Sequence, residues 1–396
     1  MTAEELEALM SSGLRSWVEA HLHDDPHRLA FQRHDVPFPV RLAVMQVALL
    51  QKAAAKLPRL AGHRCLLTQR AYEQSTSEVM ASLKPWGEGA VALDLTCGIG
   101  IDSMAMAKHF TQVTALEPDA SLAAMTRFNV RLLGIGNLTV LDMKAEAFLS
   151  DYAGPPFDLI YADPDRRDLN GKRVFGLGDC QPDLLRLLPL MRKHGKRILV
   201  KGSPMLDISA LKRLFPKGAF FWVLSEANEC KELLIEIDAP RSGCGAIFYR
   251  KGQAYQMAAF TPAEPMPYPM DGNPRFILEA DAALYKAGIV RHWFQQQRMN
   301  GGMLSEEGYF YCDNDHPGFH GHRFRVRESW MWKPREIKAA LRALGAQRIQ
   351  YARRGFDLPV ETVKKQIGLP EGGEWFLLLT KFRKGARWAF LAERIA

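Results

Sequence analysis

The chain has 396 residues, 47% of them apolar and 24% charged, with a formal charge of +8. These are globular proportions for roughly two to four compact units, and they exclude a disordered or fibrous chain. No basic segment followed by an apolar run opens the sequence, and the longest apolar stretch, "LAVMQVALL" (42–50), is too short to cross a bilayer. A soluble, cytoplasmic protein is expected, with its six scattered cysteines reduced because no CxxC pair occurs.

Residues 1–62 read as an N-terminal helical region. "LEALMSSGLRSWVEAHL" and "PVRLAVMQVALLQKAAAKL" repeat apolar residues at helical spacing, and Pro58 closes the second run. Over residues 63–240 the period changes. Short apolar runs at 90–95, 112–116, 138–142, 157–162, 196–201, 219–225 and 232–238 alternate with longer amphipathic ones, the pattern of a seven-stranded α/β domain. The segment 241–330 opens with five prolines in "TPAEPMPYPMDGNP" and reads as a linker followed by a small α+β region. The last unit, 331–396, is basic. From His316 onward there are 17 Lys and Arg against 7 Asp and Glu, a local charge of +10 that leaves the rest of the chain about −2. Its first helix is expected from Pro334 to Gly345, with Ile337, Ala340, Leu341 and Leu344 on one face and Arg335, Lys338 and Arg342 on another. A concentrated positive stripe suits a polyanion, although solubility alone also favours a charged face.

The chemistry starts at "DLTCGIGID" (94–102). A strand ending in a turn with Gly98 and Gly100 lets backbone approach a ligand, and a helix follows at once. A dinucleotide fingerprint needs a third glycine at 103, where this chain has Ser. Asp94 precedes the glycines, placed to hold an ammonium or a water near the loop. Glu117 stands nineteen residues after Gly98 at the end of "VTAL", where a carboxylate can accept from both hydroxyls of a ribose. Together these features suggest a ribose-bearing cofactor without a pyrophosphate.

Over 63–240 the chain resembles the class I S-adenosylmethionine-dependent methyltransferases, with their Rossmann-like sheet. The resemblance implies S-adenosyl-L-methionine as cofactor, held by Asp94, Thr96, Cys97, Gly98, Gly100, Asp102, Glu117 and Pro118. It also explains why the apolar run "FDLIYADPDRR" (157–167) stops on charge. The fourth strand of this fold ends beside the donated methyl group, and "DPDRR" resembles the D/N-P-P-Y/F/R motif of enzymes that methylate polar nitrogens. The implied catalytic group is Asp163, Pro164, Asp165 and Arg166. Asp163 would accept a proton or hydrogen bond from the attacking nitrogen, while Arg166 and Arg167 would hold a substrate phosphate or pair with Asp165 and Asp168.

A closer resemblance spans nearly the whole chain. "YEQSTSE", "DLTCGIGID", "DPDRR", "VKGSPMLD", "NECKELL", "ILEADAALYKAG" and "KPREIKAALRALGA…RRGFDLPVE" occur in the order of a little-characterised bacterial methyltransferase family with a ferredoxin-like insert and a C-terminal THUMP-like domain. By that similarity Gln74, Ser75 and Thr76 cover the cofactor. Lys201, Ser203 and Pro204 border the substrate, and Asn228, Glu229 and Lys231 line or brace it, or form an ion-pair network at a strand start. THUMP domains accompany RNA-modifying enzymes, so RNA is the implied partner, with Arg335, Lys338 and Arg342 as its contacts.

One position departs from the pattern. Where these enzymes place an acceptor for the adenine amino group, this chain has Lys144, which cannot accept; Asp142 or the backbone at Ala145 is the expected substitute. No metal is expected, because Cys312, His316, His320 and His322 lack a supporting cysteine pair. Cys230 raises C5 methylation of a pyrimidine as an alternative, but no Pro-Cys follows the fourth strand, and a nitrogen target is preferred. A small molecule or protein substrate, or a non-catalytic RNA-binding role, also remains compatible with the sequence.

Overall fold

The computed structural model describes residues 2–164, 180–266, 274–305, 308–382 and 384–395. Two compact units divide the chain, residues 1–220 with 232–241 and residues 221–231 with 242–396. No described helix is long and apolar enough to cross a membrane.

The first unit begins with the expected helices. Thr2 and Glu5 form a reciprocal capping box, Ser11 and Asp25 cap the next two helices, and Val40–Lys56 buries Leu42, Val47, Leu50 and Ala53 along one stripe. Two buried amides, one on either side, pin the backbone at Leu66 and Leu67. Gln46 donates to Leu67 O at 2.6 Å and accepts from Leu67 N at 3.0 Å, while Asn129 makes the same double contact with Leu66 at 2.9 and 2.8 Å. Each satisfies a main-chain donor and acceptor that burial would otherwise strand.

The seven expected strands are present as β1 (Gly89–Asp94), β2 (Phe110–Leu116), β3 (Leu138–Leu141), β4 (Leu159–Ala162), β5 (Ile198–Gly202), β6 (Ala219–Glu226) and β7 (Glu229–Ile237). Two more, β8 (Gly243–Arg250) and β9 (Gln253–Ala259), belong to the second unit and pair antiparallel with each other. Strands β1 to β5 pair in parallel, and β7 runs antiparallel to β5. The proline signal placed a boundary at 240, whereas β8 and β9 form a hairpin whose turn, Lys251-Gly252, takes positive φ at both residues.

The second unit is built on β10 (Phe276–Glu279), β11 (Gly302–Met303), β12 (Phe310–Cys312), β13 (His322–Met331), β14 (Ile349–Arg353), β15 (Glu371–Phe382) and β16 (Ala386–Ile395), in the order β11-β12-β10-β13-β16-β15-β14. The division expected at 330/331 falls inside this sheet, since β13 pairs with β10 on one side and β16 on the other. Period-two alternation shows why one sheet serves both regions. Leu377, Leu379, Ala389 and Leu391 join a core with the helices Pro334–Ala343 and Val360–Ile367, while Leu378, Phe390 and Ala392, on the opposite face, join Ile277, Tyr309 and Phe324.

Candidate active site

The glycine turn follows β1. Gly98 and Gly100 take φ of +56° and +81°, a left-handed conformation that costs other residues roughly 1–2 kcal/mol. A Cβ on Gly98 would meet nothing within 4 Å, so the turn faces open space, whereas one on Gly100 would lie 2.9 Å from Thr126 Cγ2. Gly100→Ala should therefore both strain the turn and push on the helix Ala120–Leu132, lowering cofactor affinity and the thermal midpoint together; a variant with wild-type values of both would show that the turn tolerates a side chain.

Asp94 is fully buried, and both its oxygens are engaged: Ser103 Oγ donates at 2.5 Å to one and Thr96 N at 2.9 Å to the other. It braces the turn from below rather than facing a ligand's ammonium. Burial pushes its carboxyl up to about 7, against the lowering effect of those two hydrogen bonds. Between about pH 4 and 7 the folded chain thus keeps a proton that the unfolded chain releases, and the contribution of Asp94 to stability falls as pH rises through that window. Urea midpoints at pH 5 and 8 should fall further for the wild type than for Asp94→Asn; equal falls would show that Asp94 titrates normally.

Glu117, buried at the end of β2, accepts from Gly98 N at 2.9 Å through Oε2 and from Asp119 N at 3.0 Å through Oε1. It ties the second strand to the turn, and burial raises its pKa. Pro118 follows it. Cys97 is buried beside Ser103, and burial holds its thiol well above the ordinary value. Asp142 is exposed at the end of β3, and Ala145 opens the helix Ala145–Asp151 behind Lys144. Gln74 is exposed at the end of the helix Gln69–Gln74, and Ser75 Oγ donates to Tyr72 O.

The end of β4 is linked to the same turn. Asp163 N donates to Thr96 Oγ1 at 2.6 Å, and Asp163 Oδ2 accepts from Lys201 Nζ of β5 at 2.5 Å. Its side chain keeps 26% of its exposure, and Oδ1 has no partner among the described residues. Burial raises the Asp163 pKa despite Lys201 and Lys84, so the group is a stronger proton acceptor than a solvated aspartate. Pro164 is buried after it. Asp165, Arg166 and Arg167 lie outside the described residues.

Behind Asp163 is a network that sequence reading missed in large part. Lys201 also donates to Thr76 Oγ1 at 2.9 Å; Thr76 in turn donates to Glu232 Oε1 at 3.0 Å. Lys84, whose side chain is wholly buried, donates to both oxygens of Asp102 at 2.7 Å and to Tyr161 OH at 2.9 Å, and pairs with Glu232 Oε2 at 3.1 Å. Tyr161 OH donates to Asp102 Oδ2 at 2.7 Å. Burial alone would raise Asp102, but Lys84 and Lys201 outweigh it and lower its pKa; burial alone would lower Lys201, and Asp163, Glu232 and Asp102 raise it. Thr76 and Asp102 are thus members of this network. No sequence pattern singles out Lys84, which closes the helix Glu78–Leu83. Its extended conformation before Pro85 turns the stem inward, toward the rings of Trp86 and Tyr161.

Ser203 Oγ accepts from Met205 N at 3.2 Å beyond β5, with Pro204 between them. The remaining expected contacts belong to the second unit. Lys231 pairs with Glu229 at 2.6 Å on the surface, as the ion-pair reading of that strand start anticipated, and Asn228 Oδ1 accepts from Ala282 N at 2.8 Å. Arg335 and Arg342 are exposed, while Lys338 points its ammonium at Gly368, the left-handed cap of Val360–Ile367.

A family model described as THUMP domain-like matches residues 321–394. An uncharacterized S-adenosylmethionine-dependent methyltransferase of Mycobacterium tuberculosis is 26% identical over 345 residues, 85% of this chain and 92% of that one. A crystal structure from Porphyromonas gingivalis W83, assigned provisionally as a methyltransferase, superposes over 100% of both chains with a TM-score of 0.79 at 24% identity, a likeness of fold. The chain is an S-adenosylmethionine-dependent methyltransferase with the class I fold. A THUMP-like domain closes it. Part of this methyltransferase, 38% of its length, is also 27% identical to 34% of a 23S rRNA (uracil(1939)-C(5))-methyltransferase of Aeromonas hydrophila. The residues of the methyltransferase fit the cofactor: the turn at Gly98 faces open space, and the Glu117 carboxylate stands at the end of the neighbouring strand.

Proposed function

We propose that this methyltransferase modifies a nitrogen of an RNA base. The observation that carries the reading is Asp163 Oδ1, without a partner among the described residues, on a side chain held at the end of β4 by Lys201 and tied to the glycine turn through Thr96. Bound S-adenosylmethionine supplies a methyl group already activated on a sulfonium, so the protein's work is positioning, acceptance of a proton and exclusion of water. In this reading Glu117 receives the ribose hydroxyls, Gly98 and Gly100 admit the backbone to the ligand, and Asp142 or Ala145 N meets the adenine. Gln74 and Ser75 lie over the cofactor. Asp163 accepts the hydrogen bond, and then the proton, of the target nitrogen, while Ser203 and Pro204 border the base.

RNA as the substrate is supported by the THUMP domain-like match, the charge of +10 in the C-terminal segment and the rRNA named for the Aeromonas relative. That relative acts on carbon, which would require a thiolate. Burial pushes the Cys230 thiol up to about 11 and holds Cys97 well above the ordinary thiol value, leaving both protonated and poorly nucleophilic at neutral pH. Nitrogen is therefore preferred.

The test is transfer of labelled methyl to RNA from cells lacking this gene, with RNA from normal cells as the already modified control. Label confined to the deficient RNA and recovered in an N-methylated nucleoside is expected. Label in a C5-methylated pyrimidine would overturn the nitrogen assignment, and label in neither RNA would overturn the RNA substrate.

A further inference from the structure

We propose that a recess in the second unit binds a phosphate group. Four segments distant in sequence meet there: Asn228 from the β6–β7 turn, Arg250 and Lys251 from the end of β8, His322 at the start of β13 and Arg394 near the end of β16. The recess encloses about 350 Å³, and Glu226 is the one carboxylate on its wall.

Two observations point to an anion. The first is charge: Arg250, Lys251 and Arg394 line the recess with Glu226, and although Arg250 also feels Asp281 and Glu279, neither Lys251 nor Arg394 has a carboxylate partner among the described residues. Lys251 and Arg394 are exposed at its edge, and like charges gathered around one recess favour an anion as counter-charge.

The second is an excess of donors. Arg250 Nη2 lies 3.2 Å from His322 Nδ1 and 3.5 Å from Nε2, while Asn228 Nδ2 lies 3.3 Å from Nε2. The orientation of the Asn228 amide is fixed, because its oxygen already accepts from Ala282 N. A neutral imidazole offers only one acceptor nitrogen, so it cannot satisfy donors on both sides. Protonation would remove even that acceptor, and it is disfavoured: burial first, then Arg250 and Arg394, push His322 down to about 3. Arg250 Nη1 is buried with no hydrogen-bond partner among the described residues. A tetrahedral anion with several acceptor oxygens satisfies these donors at once, and the guanidinium forks of Arg250 and Arg394 match its geometry.

The source of the phosphate rests on RNA being the substrate; the site itself does not. The experiment follows the His322 ring signals of the full-length protein by NMR while inorganic phosphate, and separately a short RNA, is added. Phosphate is expected to shift those signals and to raise the His322 pKa from about 3. The double variant Lys251→Asn, Arg394→Gln, in which Asn suits the left-handed turn at 251, should lose the response while binding S-adenosylmethionine as the wild type does. It should also bind RNA about tenfold more weakly, with the slope of log affinity on log salt reduced by about 1 to 2. RNA that competes with phosphate for the His322 response identifies a phosphodiester as the ligand. A phosphate response that RNA does not compete supports the site with a free phosphate compound as ligand, whatever the methylated substrate proves to be. No response to either probe, or an undiminished response in the double variant, would overturn the assignment.

Discussion

Replacing Asp163 by Ala is expected to stop methyl transfer while S-adenosylmethionine still binds. Among the described residues, Asp163 is hydrogen-bonded to the glycine turn through its backbone N–H, which donates to Thr96 Oγ1 and survives the substitution. What is lost is the acceptor at Oδ1, and removal of a positioned proton acceptor costs about 10²–10⁴-fold in rate. The fold should survive, because Lys201 keeps Thr76 and Glu232 as partners. Asp163→Asn separates the two roles of the group: it retains an oxygen for a hydrogen bond but cannot take a proton. Equal loss in the two variants would assign proton acceptance to Asp163, and partial activity in Asn alone would assign it a hydrogen-bonding role. Unchanged single-turnover rates in both would remove Asp163 from the mechanism.

Lys84→Met should be among the most destabilising single substitutions in the first unit. The methionine fills much of the same volume between Trp86 and Tyr161, so packing is largely kept. The charge is not replaced. Asp102 and Glu232 are left buried, facing only Lys201, and Tyr161 OH loses one of its two partners. Removing one partner from a buried ion pair typically costs about 3–5 kcal/mol, which for a unit of this size corresponds to a fall of roughly 10 °C in the thermal midpoint. Restoring the balance with Lys84→Met together with Asp102→Asn should recover part of that loss. A midpoint for the single variant within experimental error of the wild type would mean that the network is hydrated in solution and its charges are screened.

The parts of the molecule that sequence made legible are those governed by local rules. Strands β1 to β7 appeared as apolar runs because both faces of a mostly parallel sheet are covered, and Gly98 and Gly100 stood out because few other residues accept positive φ at the end of a strand. Glu117 was visible from its distance to the turn. The helix Pro334–Ala343 could be read with its basic and buried faces, since Ile337 and Leu341 recur at helical spacing.

Other features had no local signal. Glu232 sits in "NECKELL" beside two surface charges, and nothing in that heptapeptide marks it rather than Glu229 as the buried carboxylate; the alternation of β7 and its pairing with β5 decide that. Asp94 looked like a ligand-facing carboxylate until the fold showed it wholly buried beneath the turn, with Ser103 and Thr96 on its oxygens. The boundaries at 240 and 330 followed composition, whereas pairing of β10, β13 and β16 makes the C-terminal regions share one sheet. Removal of residues 330–396 would therefore strip Leu378, Phe390 and Ala392 from the core around Ile277, and point substitutions are the sounder probe of that segment.

The sequence by itself determined the class of fold, the glycine turn after the first strand and the acid at the end of the fourth, because hydrophobic period and glycine placement act over a few residues. Only the tertiary structure decided which charges are buried together. Lys84, Asp102, Tyr161, Lys201 and Glu232 come from five separate segments, as do the walls of the cationic recess from four. Electrostatic interaction depends on distance and desolvation rather than on chain order, so such clusters exist only once the sheet has set its strand neighbours.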